Sequence, residues 1–197
     1  MKCLVVISHP LHGSLCRHLS EKVVEQLIQS GHSVVIEDLY DQEFDPALST
    51  EERGSFYDVY DASRVAEQVK HLQEAEALVL VFPTWWFGFP AILKGWFDRV
   101  WGPGIAFDHS SDLGSITPRL NALRHVLAVT TLGSPWWVDR LVMRQPVKRV
   151  LKLALLGGCA RRSKLEFLSL YNCEKLTEGD VQGFGKKVTQ TIDRWPV

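Results

Sequence analysis

The sequence predicts a three-layer α/β sandwich, a five-stranded parallel sheet in the order 2-1-3-4-5 with helices on both faces. Three observations predict it. Five short apolar, β-branched runs recur along the 197 residues, each of a length that suits a strand buried on both faces. Longer amphipathic stretches separate them, which gives the alternation of a βαβ fold. Residues able to do chemistry gather after the first, third and fourth runs, and in such a sheet those loops meet where strand order reverses.

The first strand is read over Lys2 to Ser8 and the second over Ser33 to Asp38, entered through Gly31-His32. The third is Ala77 to Phe82, the fourth His125 to Thr131 and the fifth Lys164 to Leu170. Five strands are the flavodoxin-like number. Between the first two, Ser14 to Ser30 carries Leu15, Leu19, Val23 and Leu27 at four-residue steps, with Ser14 as N-cap and Gly31 as stop. Ala62 to Ala75, Pro90 to Val100 and Thr177 to Trp195 read as further helices, and Thr177 and Asp180 stand three apart at a helix start. Trp136 to Leu156 is helical in pattern, but Pro146 must divide it into two pieces. Glu37 to Asp61, with nine acidic residues, one basic and no clear period, reads as a long, mostly irregular excursion. Residues 1–197 are read as one domain.

Composition excludes several classes of function. With 22 Lys+Arg against 23 Asp+Glu and 46% hydrophobic residues, the chain is too balanced for a nucleic-acid coat and too apolar for disorder. Cys3, Cys16, Cys159 and Cys173 form no C-x-x-C pair, so neither a disulfide framework nor a zinc site has support, and a reducing, cytoplasmic home is expected. The apolar runs fall far short of a membrane span, so no transmembrane segment is expected. Docking on a membrane through a partner stays open. The seven Lys or Arg of Arg144 to Lys164, with no acid among them, read ordinarily as a solvated face and more sharply as a landing site for a cofactor phosphate.

The loop Ser8-His9-Pro10-Leu11-His12-Gly13-Ser14 runs into a helix whose first N–H groups are free to hold a phosphate or pyrophosphate. It carries neither G-x-G-x-x-G nor a P-loop, so a Rossmann fingerprint and a triphosphatase are unsupported. After the third strand, Pro83-Thr84-Trp85-Trp86-Phe87-Gly88-Phe89-Pro90 sets four large aromatics in five positions at the sheet mouth. Stacking on a planar ligand accounts for them, as does a packed cap or an oligomer interface. Thr130-Thr131-Leu132-Gly133-Ser134 follows the fourth strand, offering hydroxyls and a glycine beside which a ligand can come close. Each loop alone has a plain structural explanation; their meeting at one crevice favours a ligand.

The run Trp86-Phe87-Gly88-Phe89-Pro90-Ala91-Ile92-Leu93-Lys94-Gly95-Trp96-Phe97-Asp98-Arg99-Val100, followed by Gly104-Ile105-Ala106-Phe107, is similar to the signature of the NAD(P)H:quinone oxidoreductase family. That family takes in DT-diaphorase-like enzymes, modulator-of-drug-activity quinone reductases and ancillary subunits of glutathione-gated potassium efflux systems. The resemblance extends to the N-terminal loop, Asp38-Leu39-Tyr40 and the Thr130-Thr131-x-Gly133 turn, roughly the first two thirds of the chain. It implies a flavodoxin-like fold, a tightly bound FAD (or FMN), NAD(P)H as electron donor, a quinone-like acceptor and a homodimer with two sites at its interface. Carried over, His9, Ser14, Leu15 and Cys16 would lie along the pyrophosphate and adjoining flavin groups. Pro83, Thr84, Trp85, Trp86 and Phe87 would hold the isoalloxazine, and Thr130, Thr131 and Gly133 its opposite edge. Trp86 and Phe87 would also wall the substrate pocket, with Phe107 and His109 reaching across the dimer to roof it. The implied reaction is ping-pong hydride transfer through flavin N5 with no metal.

Two departures qualify this. The family usually has Asn where this chain has Cys16. DT-diaphorase-like relatives place a tyrosine and a histidine after the glycine turn, whereas Ser134-Pro135-Trp136-Trp137-Val138-Asp139-Arg140 has neither, so no side-chain acid or base is expected there. Trp136 and Trp137 either narrow the pocket or belong to the core. The alternatives are an FMN azoreductase or nitroreductase-type enzyme, a regulatory subunit docked on a potassium efflux transporter with incidental turnover, and a structural protein that has lost its flavin.

Overall fold

The fold, taken from a computed structural model, is described for residues 1–110 and 114–196. Strands β1 (Lys2–Ile7), β2 (Ser33–Asp38), β3 (Ala77–Pro83), β6 (His125–Thr131) and β7 (Lys164–Leu170) form one parallel sheet in the order β2-β1-β3-β6-β7. The short β4 (Phe107–Asp108) and β5 (Thr117–Pro118) pair separately and antiparallel. Discounting that ribbon, the order is the expected 2-1-3-4-5, with every strand within a residue of its expected bounds.

Successive side chains of a strand point to opposite faces, which is why each strand feeds two cores. Leu4, Val6, Leu78, Leu80, Phe82, Val126 and Ala128 face one cluster, and Cys3, Val5, Val79, Val81, Leu127 and Val129 the other. Helices α1 (Leu15–Gln29) and α7 (Glu178–Ile192) cover the second through Leu19, Val23, Leu27, Val188 and Ile192. The Ser14 hydroxyl caps α1 by accepting from Arg17 N at 3.2 Å, and Gly31 ends it in the left-handed region at φ 78°. Thr177 and Asp180 form the expected reciprocal cap of α7.

The other layer holds α3 (Ala66–Glu74), entered through a 3₁₀ turn at Ser63–Val65, and α4 (Ala91–Val100), whose Trp96 is wholly buried. Pro146 divides the next helical stretch as its geometry demands. A π-helical turn at Val138–Val142 stops before Arg144 and Gln145, both left-handed, and α5 (Pro146–Arg149) restarts with proline in its first turn. A second π-helical run, Val150–Leu156, and a last turn, α6 (Gly157–Cys159), complete it. The basic run Arg144 to Lys164 therefore travels from one rim of the sheet to the other. Lys164 opens β7 beside His125 at the amino rim, so the run as a whole is no landing site for a cofactor at the carboxyl rim.

The acidic excursion is more ordered than its lack of period suggested. Ser49 and Glu52 cap a short helix, α2 (Thr50–Gly54), and Glu52 then turns inward to Arg99 of α4. Arg99 Nε donates to Glu52 Oε1 at 2.8 Å, another of its nitrogens donates to Asp45 O at 2.5 Å, and both charged side chains are almost wholly buried.

Glu37, also wholly buried, accepts from Trp96 Nε1 at 2.8 Å and pairs with His71 Nδ1 at 2.8 Å. Burial raises its carboxyl above the ordinary glutamate range, with both partners pulling the other way. An acid with a higher pKa folded than unfolded binds more protons folded between those two values. Its stabilising contribution is thus complete below the unfolded value and is lost as pH rises through the folded one. Glu37→Gln, which keeps an acceptor for Trp96, is expected to flatten that slope in urea midpoints measured across this window; an unchanged slope would contradict it.

Candidate functional site

Three loops leave the carboxyl ends of β1, β3 and β6 side by side, and hydrogen bonds lace them together. Ser8 N donates to Val81 O at 3.0 Å and Thr84 N to Thr131 O at 2.9 Å. The Thr84 and Thr130 hydroxyls share a bond of 2.7 Å, and Cys16 Sγ meets the Thr131 hydroxyl at 3.4 Å. The side chains of Thr130, Thr131 and Cys16, all buried, thus brace the rim by bonding within it. Burial pushes the Cys16 thiol up to about 11, so it stays a neutral packing group. Thr84→Val would strand the Thr130 hydroxyl in the interior. It is expected to cost about 1–3 kcal/mol of stability, read from denaturant melts, and a neutral result would show that the brace is redundant.

On the first loop, His9 Nδ1 accepts from Leu11 N at 3.1 Å, and burial lowers the ring's pKa. In the neutral ring that bond assigns the proton to Nε2, which is left as a donor. The ring centroid of His9 stands 6.2 Å from that of Trp85. Ser14 and Leu15 open α1, whose leading N–H groups face the rim.

The second loop is a tight turn. Gly88 N donates to Trp85 O at 2.8 Å, and both residues between, Trp86 at φ 51° and Phe87 at φ 56°, are left-handed. For non-glycine residues this costs roughly 1–2 kcal/mol each, and strain of this kind collects at ligand sites. The turn holds the Trp86 side chain 100% exposed and Trp85 44% exposed. Pro83 is buried at the end of β3.

Gly133, on the third loop, is exposed, and a Cβ there would come no nearer than 3.7 Å to the Glu174 carboxylate. Its own chain therefore sets no close approach that requires glycine. Trp136 and Trp137, each about half exposed, do not belong to the core. The stretch beyond this loop has neither a tyrosine nor a histidine. Asp139 is buried in the π-helical turn and accepts from the Tyr171 hydroxyl at 2.8 Å. The sequence hides this pair because Tyr171 arrives from β7, 32 residues away.

Among the described residues, two buried polar atoms of the rim are orphaned. Ser8, wholly buried at the end of β1, has a hydroxyl with no partner, and so has the shielded hydroxyl of Ser134. Buried polar groups are almost always paired. Two such groups, a donor ring at His9, free helix N–H groups and exposed indoles suit a planar, heteroatom-edged group carrying phosphate, and the residues fit a flavin. The same rim continues into a cavity of about 650 Å³ between the end of β7 and α7, lined by Tyr171, Asn172, Lys175, Leu176, Phe184 and Lys187. Cys173 N donates to Leu132 O at 3.0 Å and Asn172 N to Ser134 O at 3.3 Å, which ties this segment to the third loop. The sequence reading missed this cavity, because its lysines stand apart in the chain.

Phe107 and His109 do not join Trp86 and Phe87 within one chain. They pack with Phe56 and Tyr57, His109 lying 5.3 Å from Phe107, 5.6 Å from Phe56 and 5.1 Å from Tyr57 between ring centroids. Among the described residues no group of side chains is arranged to hold a metal, and no helix is long and apolar enough to cross a membrane.

A family model described as flavodoxin-like fold matches residues 1–177. The chain belongs to the flavodoxin-like fold family. NAD(P)H dehydrogenase [quinone] 1 of Cavia porcellus is 33% identical to this flavodoxin-like chain over 152 residues, covering 68% of it and 54% of the relative. The chain thus spans about half the length of that relative. A solved protein of Streptococcus mutans UA159 superimposes with a TM-score of 0.86 at 29% identity, over 99% of this chain and all of the other. An FMN-dependent NADH-azoreductase of Bacillus anthracis, solved with FMN, superimposes at 0.76 with 16% identity over 98% of this chain and 99% of its own, a likeness of fold.

Proposed function

We propose that the chain is a flavin-dependent NAD(P)H:quinone oxidoreductase acting as a homodimer. The observation that carries this is the strained Trp85–Gly88 turn, which holds an exposed indole at the rim where three loops converge. The named quinone-reducing relative supports the reaction. When bound, the flavin would supply two-electron hydride transfer between NAD(P)H and a quinone-like acceptor, in ping-pong order.

The chain's own part is positioning and polarisation. Trp85, Trp86 and Phe87 would flank the ring and keep water from it. The Thr130–Gly133 loop would border the edge where negative charge develops, with its two threonine hydroxyls bracing the rim. His9 Nε2–H and the first N–H groups of α1 would hold the phosphates, with Ser14 fixing the helix start. Asp139 holds the Tyr171 hydroxyl at the adjoining rim. The adjoining cavity, lined by Lys175 and Lys187 and also by Asp180, supports FAD over FMN, because an adenosine diphosphate tail needs a second groove.

The azoreductase likeness favours a second reading, FMN-dependent reduction of azo compounds. The mass of flavin extracted from purified protein separates the two cofactors, and NAD(P)H oxidation against a panel of quinones and azo dyes ranks acceptors. FAD with quinones turned over fastest is expected. FMN with azo dyes preferred would replace this reading by the second, and a colourless protein that takes up neither flavin would end both.

A further inference from the structure

Helix α1 carries two stripes. Leu15, Leu19, Val23 and Leu27 pack on the sheet, while Arg17, Glu21, Val24 and Ile28 follow one another at steps of four, three and four along a second face. That second face, with Ile36 and Asp38 of β2, lines an open groove of about 670 Å³.

The apolar part of the groove is left in water. Ile28 is 60% and Ile36 46% exposed, whereas Val5, the neighbour of Ile36 across the β1–β2 ladder, is wholly buried. The contrast arises because β2 is the edge of the sheet. Exposed apolar side chains that converge in a concave surface mark a place for a partner.

Four acids and one base line the same groove. Arg17 is committed to two of the acids at one end, where its guanidinium meets Asp38 and donates to Asp41 at 2.7 Å. Glu21 and Glu25 have no such counter-charge. Both are exposed, Glu25 accepts only from the neutral amide of Gln29 at 3.3 Å, and among the described residues neither has a cation within ion-pair distance. Like charges one helical turn apart disfavour the helix that carries them, so this ridge is relieved by a cationic occupant. From Arg17 to Ile28 the stripe runs about 17 Å at 1.5 Å per residue, three turns. A helix laid beside α1, at an axial distance of roughly 8–10 Å, would cover β2 within the same layer.

We propose that this groove docks a lysine- or arginine-rich amphipathic helix of a partner protein, its apolar stripe on Val24, Ile28 and Ile36 and its cations on Glu21 and Glu25. A second copy fits worse. A two-fold axis beside β2 and normal to the sheet would continue the sheet through that copy, but it would set the two Glu21–Glu25 ridges facing each other. Anionic lipid and nucleic acid meet the same repulsion. The groove lies on the layer of α1 and α7, across the sheet from α4, and the proposal does not rest on flavin chemistry.

The probe is a labelled peptide of about fifteen residues, four turns, with leucine at helical spacing on one face and lysine on the other. Fluorescence anisotropy against the full chain should show saturable binding with a Kd below about 100 μM, weakened at least tenfold between about 50 and 500 mM salt. Glu21→Lys with Glu25→Lys, and separately Ile28→Asp, all at exposed positions, should each raise that Kd at least tenfold while melting temperature and circular dichroism stay native. Glu43→Lys with Asp58→Lys, in the acidic excursion, should leave it unchanged. Amide shifts caused by the peptide should map to residues 17–29 and 34–41. Absence of saturable binding, binding that ignores the groove variants, or binding lost with the excursion pair would each overturn the proposal. So would tighter binding of an alternating leucine–lysine peptide with amide protection along β2, which would make this face a strand-addition edge. Self-association that rises with concentration and disappears in Ile28→Asp would also overturn it, by assigning the groove to a second copy.

Discussion

Glu52→Gln is expected to lower the free energy of unfolding by about 3–5 kcal/mol, the usual cost of stranding one member of a buried ion pair. Arg99 would keep its bond to the Asp45 carbonyl but lose a carboxylate that meets two of its nitrogens, at 2.8 Å and 2.7 Å. Little water reaches the guanidinium, because both side chains are all but sealed from solvent. The loss should appear as a lower urea midpoint. The double replacement Glu52→Leu with Arg99→Met should recover most of it, because an apolar pair of similar volume needs no desolvation of charge. If the single variant melts like wild type, the pair is not what fastens the excursion to α4.

That pair also shows how far the sequence could be read. The five strands were legible because each carries a short run rich in apolar residues between turn signals, and β3, apolar and buried along its whole length, is the plainest. Ser14, Gly31, Thr177 and Pro146 announced helix boundaries through local chemistry that tertiary packing had no reason to override. Glu52 was not legible. Ser49 and Glu52 have capping-box spacing, but the helix they cap is five residues long and shows no apolar period. Its partner Arg99 lies 47 residues on. The same limit hid Asp139 and Tyr171, a pair made only when β7 closes the sheet. At the rim, the loops could be named from sequence, but the division of labour within them could not. Thr130, Thr131 and Cys16 look like ligand contacts in a motif, whereas folded they hold one another. Ser8, which reads as the last residue of a strand, presents a buried hydroxyl without a partner.

Trp86→Gly should separate stability from function. Relief of a left-handed backbone at a non-glycine residue, together with removal of a fully exposed indole, is expected to stabilise the flavin-free chain by about 1 kcal/mol. The same change removes a ring that would bury against the flavin. At about 1.5–3 kcal/mol for a buried large apolar side chain, flavin affinity should fall roughly ten- to hundredfold, with quinone reduction falling alongside. Thermal melts of flavin-free protein and fluorescence titration with flavin read the two effects apart. A variant that is less stable without flavin would mean that the turn is held by the chain's own packing and not kept for a ligand.

The most direct test of the account is the visible spectrum of flavin-loaded protein before and after anaerobic addition of NADH or NADPH, followed by a quinone. The account predicts an oxidised flavin band that bleaches on adding the nicotinamide and returns with one equivalent of quinone. A protein that acquires no such band when offered FAD or FMN, or one whose band is indifferent to both nicotinamides, would contradict it.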